Sequence, residues 1–211
     1  MNHEIIKSIT EGQGFYIIKS AVDKESIDYA LRFIRKVTSR LGDNVLERRV
    51  WNLHTRHDIF SKIAHHSLVK DIYNVILGTK HRINSFGANR LMPGGQAQEA
   101  HTDYPYWGLF DKTTLPLNIN SSFALACQTL IPLQDFTKQN GATAVVPNSQ
   151  LLCSYPDDTM FNQNAIQLEL EAGDLLMYHS LLWHRASHNH SDSDRTCLLG
   201  QYTAGFVRDM M

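Results

Sequence analysis

The sequence predicts a mainly β domain, an antiparallel sandwich or jelly roll with helices ahead of it. Three observations carry that expectation. From about residue 83 the chain breaks into six or more short β-like runs, separated by Gly, Pro and Asn turn signals and with no helical period between them. The N-terminal third instead shows apolar residues at helical spacing. The 211 residues contain no internal repeat or Pro/Ser-rich linker, so they fit one domain over 1–211, helical over roughly 1–80 and strand-rich over roughly 83–207.

Phe15-Tyr16-Ile17-Ile18 reads as a short entry strand. Asp23 then offers a carboxylate to the open N–H groups of a first helical turn, and Ile27, Ala30, Leu31, Ile34 and Leu41 form the apolar stripe that follows. A second helix starts at Ser67, carries Val69, Ile72, Tyr73 and Ile76 on one face, and stops at Gly78. The first long β run, Ile83 to Met92, ends in the turn Pro93-Gly94-Gly95. Leu125 to Leu133 and Thr143 to Val146 flank a hairpin signal, Thr137 to Gly141. Ile166 to Leu170 leads through Ala172-Gly173-Asp174 into Leu175 to Trp183, and Arg195 to Phe206 is the last strand. The stretch from Tyr104 to Ser122 has no clean period, and a loop that long in a compact domain is usually functional or mobile.

Composition excludes several classes. With 43% hydrophobic and 19% charged residues the chain is globular, neither disordered nor membrane-embedded. A net charge of -1 gives no general drive toward nucleic acid or an anionic membrane. No run approaches the ~18 apolar residues of a spanning helix, and Met1 to Gly14 lacks the apolar centre of a secretory leader. Three cysteines without a CxxC pair fit reduced thiols, and the expected compartment is the cytoplasm. Eleven histidines are more than usual, so only spacing gives any of them meaning.

The strongest chemical signal is His101-Thr102-Asp103 taken with His184 and Arg195. On an extended strand side chains alternate, so His101 and Asp103 point the same way. A third ligand from a distant strand would complete the 2-His-1-carboxylate set that leaves open positions on a non-haem Fe(II). Alone, each element has an ordinary explanation: a chance HxD, a satisfied core histidine, a solvated arginine. Order and context give the combination its weight. The HxD follows a Gly-rich turn, His184 ends a strand entered through Ala-Gly-Asp, and Arg195 begins the next strand, where it can face the same cavity. Arginine offers an anionic co-substrate a bidentate fork that does not titrate. Among rival distal ligands, His179 has the opposite strand parity to His184, while His188 and His190 lie in the polar turn Ser187 to Asp194.

Residues 170–202, LEAGDLLMYHSLLWHRASHNHSDSDRTCLLGQY, resemble the C-terminal signature of the phytanoyl-CoA dioxygenase family. Residues 94–107, GGQAQEAHTDYPYW, are similar to its HxD segment, and 139–149, QNGATAVVPNS, to the segment between the two. The entry at Gly14-Phe15 and the helix pair match as well, so the resemblance runs along nearly the whole chain. It implies a double-stranded β-helix, a cupin-like jelly roll with flanking α-helices. It also implies an Fe(II)- and 2-oxoglutarate-dependent dioxygenase that consumes dioxygen, releases succinate and carbon dioxide, and by default hydroxylates a small molecule, with ascorbate supporting activity. By motif position His101, Asp103 and His184 would bind iron and Arg195 the distal carboxylate of 2-oxoglutarate. Gln128, by its strand position in the ectoine hydroxylase branch, would touch the same molecule; its other reading is a plain sheet residue. Some members carry a Ser two residues after the distal His, where this chain has Ala186, so one co-substrate hydrogen bond would be absent or shifted. The chain is short for the family, which implies trimmed loops. Asp103 disfavours halogenation, since halogenating relatives replace that carboxylate.

The expected partner is a small-molecule substrate, not nucleic acid or membrane, and the oligomeric state is not readable. Tyr104, Tyr106, Trp107 and Phe110 would form a wall or lid, or else pin their loop to the barrel. Arg48, Arg49 and Arg56, near Asn52, would greet an acidic substrate group or form a solvated basic surface. Two rival functions stand beside the main one. A cupin-like metal oxygenase or isomerase that does not use 2-oxoglutarate has Arg195 against it. A non-catalytic jelly-roll binding protein has the intact ligand set against it.

Overall fold

The computed structural model describes residues 1–103 and 122–208. The expected lid or wall built on Tyr104, Tyr106, Trp107 and Phe110 therefore lies outside the described residues.

The described residues form two antiparallel sheets. The larger runs in the order β1 (Phe15–Ile18), β7 (Leu175–His179), β4 (Ala126–Pro132), β9 (Arg195–Thr203), β3 (Arg82–Leu91) and β2 (Glu47–Val50). The smaller has β5 (Thr143–Val145) between β6 (Ile166–Gln167) and β8 (His184–Ala186). The arrangement is an open jelly roll, in which alternation along each strand assigns one face to each neighbour. On β9, Leu198 and Tyr202 point toward the helices, while Arg195, Cys197, Leu199 and Gln201 line the cavity between the sheets.

Four helices cover the outer face of the larger sheet: α1 (Asn2–Thr10), α2 (Lys24–Thr38), α3 (Asp58–Ala64) and α4 (Ser67–Ile76). Ile5, Ile9, Ile34, Phe60 and Ile72 reach full burial there against Phe86, Cys127, Met177 and Leu198, each apolar side chain worth about 1.5–3 kcal/mol. Tyr73 of α4 donates its hydroxyl to the Gln128 carbonyl of β4 at 2.5 Å, which fixes the helix to the sheet. A second cluster, including Phe15, Leu130, Phe136, Val145 and Leu176, fills the space between the sheets. A further helix, α5 (Asp158–Asn164), precedes β6.

Asp23 caps α2 as expected, its Oδ1 accepting from the Ser26 N–H at 2.8 Å. Leu41 does not belong to the stripe: it lies beyond the helix and is 40% exposed. Thr38 takes the corresponding buried place by donating its hydroxyl to the Ile34 carbonyl. The expected strand Leu175 to Trp183 is broken after His179. There the Ser180 hydroxyl donates to the Ala126 carbonyl and the Leu181 N–H to His179 Nδ1, a tight turn that carries the chain into the other sheet. His184 therefore opens β8 instead of ending β7, and the parity argument against His179 loses its premise. His179 is excluded differently: it ends β7 fully buried, and it does not join the cluster of His101, Asp103 and His184. Ile166 to Leu170 pairs only at its first two residues, with one further bridge from Leu170 to Phe136.

The Ala-Gly-Asp turn has a physical basis. Gly173 sits at φ +89, and a Cβ there would come within 2.7 Å of the Val22 carbonyl. The buried Asp174 carboxylate accepts from Lys19 Nζ at 2.7 Å, the Ser20 N–H at 3.0 Å and the Glu171 N–H at 2.9 Å. Burial raises its pKa, but these bonds outweigh that and hold it below its ordinary value. A depressed carboxyl pKa stabilises the fold above the unfolded pKa, and the benefit disappears as pH falls through the folded value. Asp174→Asn should thus cost about 2–3 kcal/mol at neutral pH. Thermal melts should also show a smaller loss of stability on acidification than in the wild type; an unchanged neutral melt would refute the role. No helix among the described residues is long and apolar enough to cross a membrane.

Candidate active site

His101 and His184 come together through main-chain bonds. Each N–H donates to the other's carbonyl at 3.0 Å, an isolated antiparallel bridge that sets both side chains on one face with ring centroids 4.4 Å apart. Each ring has its Nδ1 against a backbone carbonyl, that of Glu99 at 2.8 Å for His101 and that of Leu182 at 2.9 Å for His184. Holding the proton on Nδ1 turns the Nε2 lone pair of each ring toward the cavity. Asp103 does not arrive by strand alternation, because residues 102 and 103 are outside any strand. Its N–H donates to the Ser180 carbonyl at 2.9 Å, and its own carbonyl accepts from Gln201 Nε2 at 3.2 Å. The carboxylate lies 3.3 Å from His184 Nε2 and 3.9 Å from His101 Nε2. One ligand atom from each residue falls within 4.8 Å of the other two, a donor set that could hold a first-row divalent metal.

The electrostatics suit a cation. Burial raises the Asp103 pKa, but His184 and then His101 outweigh it and keep the carboxyl low. Burial lowers that of His184, but the Asp103 charge and hydrogen bond carry it above its ordinary value. His101 is lowered, first by burial and then by His184. Metal binding needs both imidazoles neutral at Nε2 and the carboxylate ionised, so protons and metal compete.

Facing this cluster is a cavity of about 220 Å³ between the sheets. Arg195 lines it and is 1% exposed, with its guanidinium 4.7 Å above the Phe136 ring. Its Nη1 makes one long contact, 3.9 Å to Cys197 Sγ, while Nε and Nη2 have no partner among the described residues. Burial lowers its pKa against the opposing pull of Cys197 and Glu47. A buried guanidinium with open donors is costly unless an anion meets it. The turn before it is built to place it. Asn189 is fully buried, donating to the Leu91 and Ser193 carbonyls and accepting from the Ser191 N–H and hydroxyl. Asp194 is held by Arg35 at 2.8 Å and Arg90 at 2.9 Å. His188 and His190 stack on one another in this turn, 4.0 Å between centroids, and do not join the ligand cluster.

Gln128 faces the cavity from β4, 4% exposed, and its Nε2 also lacks a partner among the described residues. Arg48 corrects the expectation: it is neither surface charge nor cavity wall. It is 4% exposed and donates to the carbonyls of Val45, Thr38 and Gly42, closing the loop after α2. Asn52 and Arg56 are exposed and do not line the cavity; Asn52 adopts φ +58 ahead of a short turn. Strand alternation separates Arg48 from its neighbour, since Arg49 on β2 and Trp51 just beyond it take the cavity side. The Arg49 guanidinium lies 5.6 Å over the Trp51 ring and donates to Glu47 Oε1 at 2.6 Å. That oxygen also accepts from Asn89 and Gln98, both at 2.9 Å. The sequence reading also missed Tyr178 and Gln201. Both stand directly opposite Gln128 in the register, so an alignment of the three strands would have exposed them.

The sequence pattern of the phytanoyl-CoA dioxygenase (PhyH) family matches residues 11–197. The chain belongs to the phytanoyl-CoA dioxygenase family. Among its relatives, the dioxygenase trt7 of Aspergillus terreus is 25% identical over 171 residues, covering 79% of this chain and 54% of that protein. An uncharacterised protein of Mycobacterium tuberculosis is 33% identical over 91 residues, 43% of this chain and 33% of its own length. The chain thus spans about a third to a half of the curated relatives it matches. In fold it is similar to HygX of Streptomyces hygroscopicus, solved with nickel, 2-oxoglutarate and hygromycin B bound: TM-score 0.76, 13% identity, 100% of this chain and 90% of that one. It is also similar to the epimerase SnoN in complex with Fe3+, alpha ketoglutarate and nogalamycin RO, with TM-score 0.74, 15% identity and coverage of 96% and 83%. These likenesses agree with the jelly roll described above.

Proposed function

We propose that this member of the phytanoyl-CoA dioxygenase family is an Fe(II)- and 2-oxoglutarate-dependent oxygenase that hydroxylates a small molecule. One observation carries the reading: a three-ligand cluster and a buried arginine with open donors face the same cavity. The fit is chemical. Two neutral imidazoles and a carboxylate suit Fe(II) while leaving positions for a chelating keto acid and dioxygen. The open Nε and Nη2 of Arg195 suit the far carboxylate of that acid.

His101, Asp103 and His184 hold the metal through Nε2, a carboxylate oxygen and Nε2. Arg195 anchors 2-oxoglutarate, with Phe136 supporting the flat face of the guanidinium. Gln128 Nε2 donates to the same molecule. When bound, the iron couples decarboxylation of 2-oxoglutarate with dioxygen to oxidation of the substrate. The protein's own part is to bind, orient and exclude water. At the mouth, Arg49, Trp51 and Gln98 present a flat apolar ring beside fixed polar groups, which suits a polar small molecule. SnoN and HygX are described with nogalamycin RO and hygromycin B, and we read this chain's substrate as a small molecule as well.

The test is a compound screen for substrate-stimulated succinate release with Fe(II), 2-oxoglutarate, dioxygen and ascorbate, followed by product mass. Gain of one oxygen atom supports hydroxylation, and an isomer of unchanged mass replaces it with stereochemical inversion. Failure of the Fe(II)-loaded protein to bind 2-oxoglutarate would refute the reading.

A further inference from the structure

Tyr178 carries an inference that rests on the co-substrate reading above. It stands on β7 directly opposite Gln128, and the side chains of the pair share the face toward the smaller sheet. The residue is 4% exposed and lines the cavity, with its ring 5.2 Å from that of His184 and edge-on to it. Two other buried phenols of this core direct their hydroxyls to backbone carbonyls, Tyr73 to Gln128 and Tyr202 to Ala64. Tyr178 makes no such bond among the described residues. A phenylalanine would fill the same space, so packing alone gives no reason for the oxygen. The cavity supplies one. Gln128 Nε2 and Arg195 Nε and Nη2 also face it without partners, so its wall is rich in donors that call for an acceptor-rich anion. Ala186, across the cavity on β8, brings only a methyl group where a hydroxyl would have provided another donor.

We propose that Tyr178 donates its phenolic hydrogen to a carboxylate oxygen of bound 2-oxoglutarate, in place of the hydroxyl that Ala186 lacks. The oxygen is then a recognition group and the ring a packing group, and the two roles separate on substitution. Tyr178→Phe removes the oxygen alone and leaves no protein group without a partner.

The experiment uses nickel-loaded protein, which binds co-substrate without turnover, and titrates 2-oxoglutarate by calorimetry. Tyr178→Phe should weaken binding roughly tenfold, the scale of a lost hydrogen bond to a charged group, while nickel affinity and melting temperature stay at wild-type values. Adding Ala186→Ser to Tyr178→Phe should recover part of that loss, because a hydroxyl returns to the cavity wall. Wild-type affinity in Tyr178→Phe, or a loss that appears only together with weaker nickel binding, would overturn the proposal and leave the co-substrate reading standing. If nickel-loaded wild-type protein does not bind 2-oxoglutarate at all, both fall.

Discussion

His184→Ala should strip the protein of its divalent metal. Outer partners of metal ligands are worth roughly 10–100-fold in affinity, so removal of one of three ligands should exceed a hundredfold. The fold should survive. His184 is tied to His101 by main-chain bonds, and β8 pairs with β5 through its backbone; the side-chain interactions lost are the Nδ1 bond to the Leu182 carbonyl and the Nε2 contact with Asp103. Anaerobic Fe(II) titration, with circular dichroism as the fold control, measures the effect directly. His188→Ala makes a matched comparison, since that ring stacks on His190 outside the ligand cluster and its loss should leave metal binding intact. Wild-type affinity should also weaken as pH falls, because a proton on either Nε2 or on the Asp103 carboxylate takes away a ligand atom. A His184→Ala protein that keeps stoichiometric iron would mean that the three ligands are wrongly assigned.

What the sequence revealed depended on how local each signal was. Asp23 and Gly78 act within a turn or two, so α2 starts after its cap and α4, which has no side-chain cap, spans Ser67–Ile76 just ahead of Gly78 at φ +91. The turn Asn140-Gly141 is equally local. Asn140 Oδ1 accepts from the Thr137 N–H, and Gly141 at φ +84 passes 2.5 Å from the Ser187 carbonyl where a Cβ would stand. The helices α1, α3 and α5 are nine residues or fewer and held by tertiary contacts, so their periodicity is weak. The Ser180 to Trp183 stretch is almost continuously apolar and reads as more strand; only the Ser180 hydroxyl, bonded to distant Ala126, marks the crossing between sheets. The clustering of His101, Asp103 and His184 was legible because metal chemistry restricts residue type, even though the strand argument for His101 and Asp103 was not how the fold aims them. The cavity wall was legible only in part: Arg48, Arg49 and Arg56 were equal candidates, and only the strand register separates Arg49 from its neighbour. Arg48 looked available and is closed onto three carbonyls, while Arg49 faces the cavity.

Arg195→Met should abolish the response to 2-oxoglutarate while leaving iron in place. The substitution keeps an unbranched chain of similar length over Phe136 and removes only the charge and its donors. A buried charge-assisted pair lost on one side costs on the order of 3 kcal/mol, about a hundredfold in affinity. Arg195→Lys should recover part of this, because an ammonium keeps the charge and loses the fork. The stability of the two unliganded proteins separates a binding arginine from a structural one. In the wild type the guanidinium is buried with Nε and Nη2 open, and burial already pulls its pKa down, so its charge strains the empty fold. Unliganded Arg195→Met should therefore melt at or above the wild-type temperature. Adding 2-oxoglutarate at a hundred times its dissociation constant stabilises the wild type by about 2.7 kcal/mol and should leave Arg195→Met unmoved. A structural arginine would give the opposite pattern, a lower melt in the variant and an undiminished ligand shift. That result would move the co-substrate anchor away from Arg195, and Arg49 would be the next cation to test, since it is the other arginine on the wall of the same cavity among the described residues.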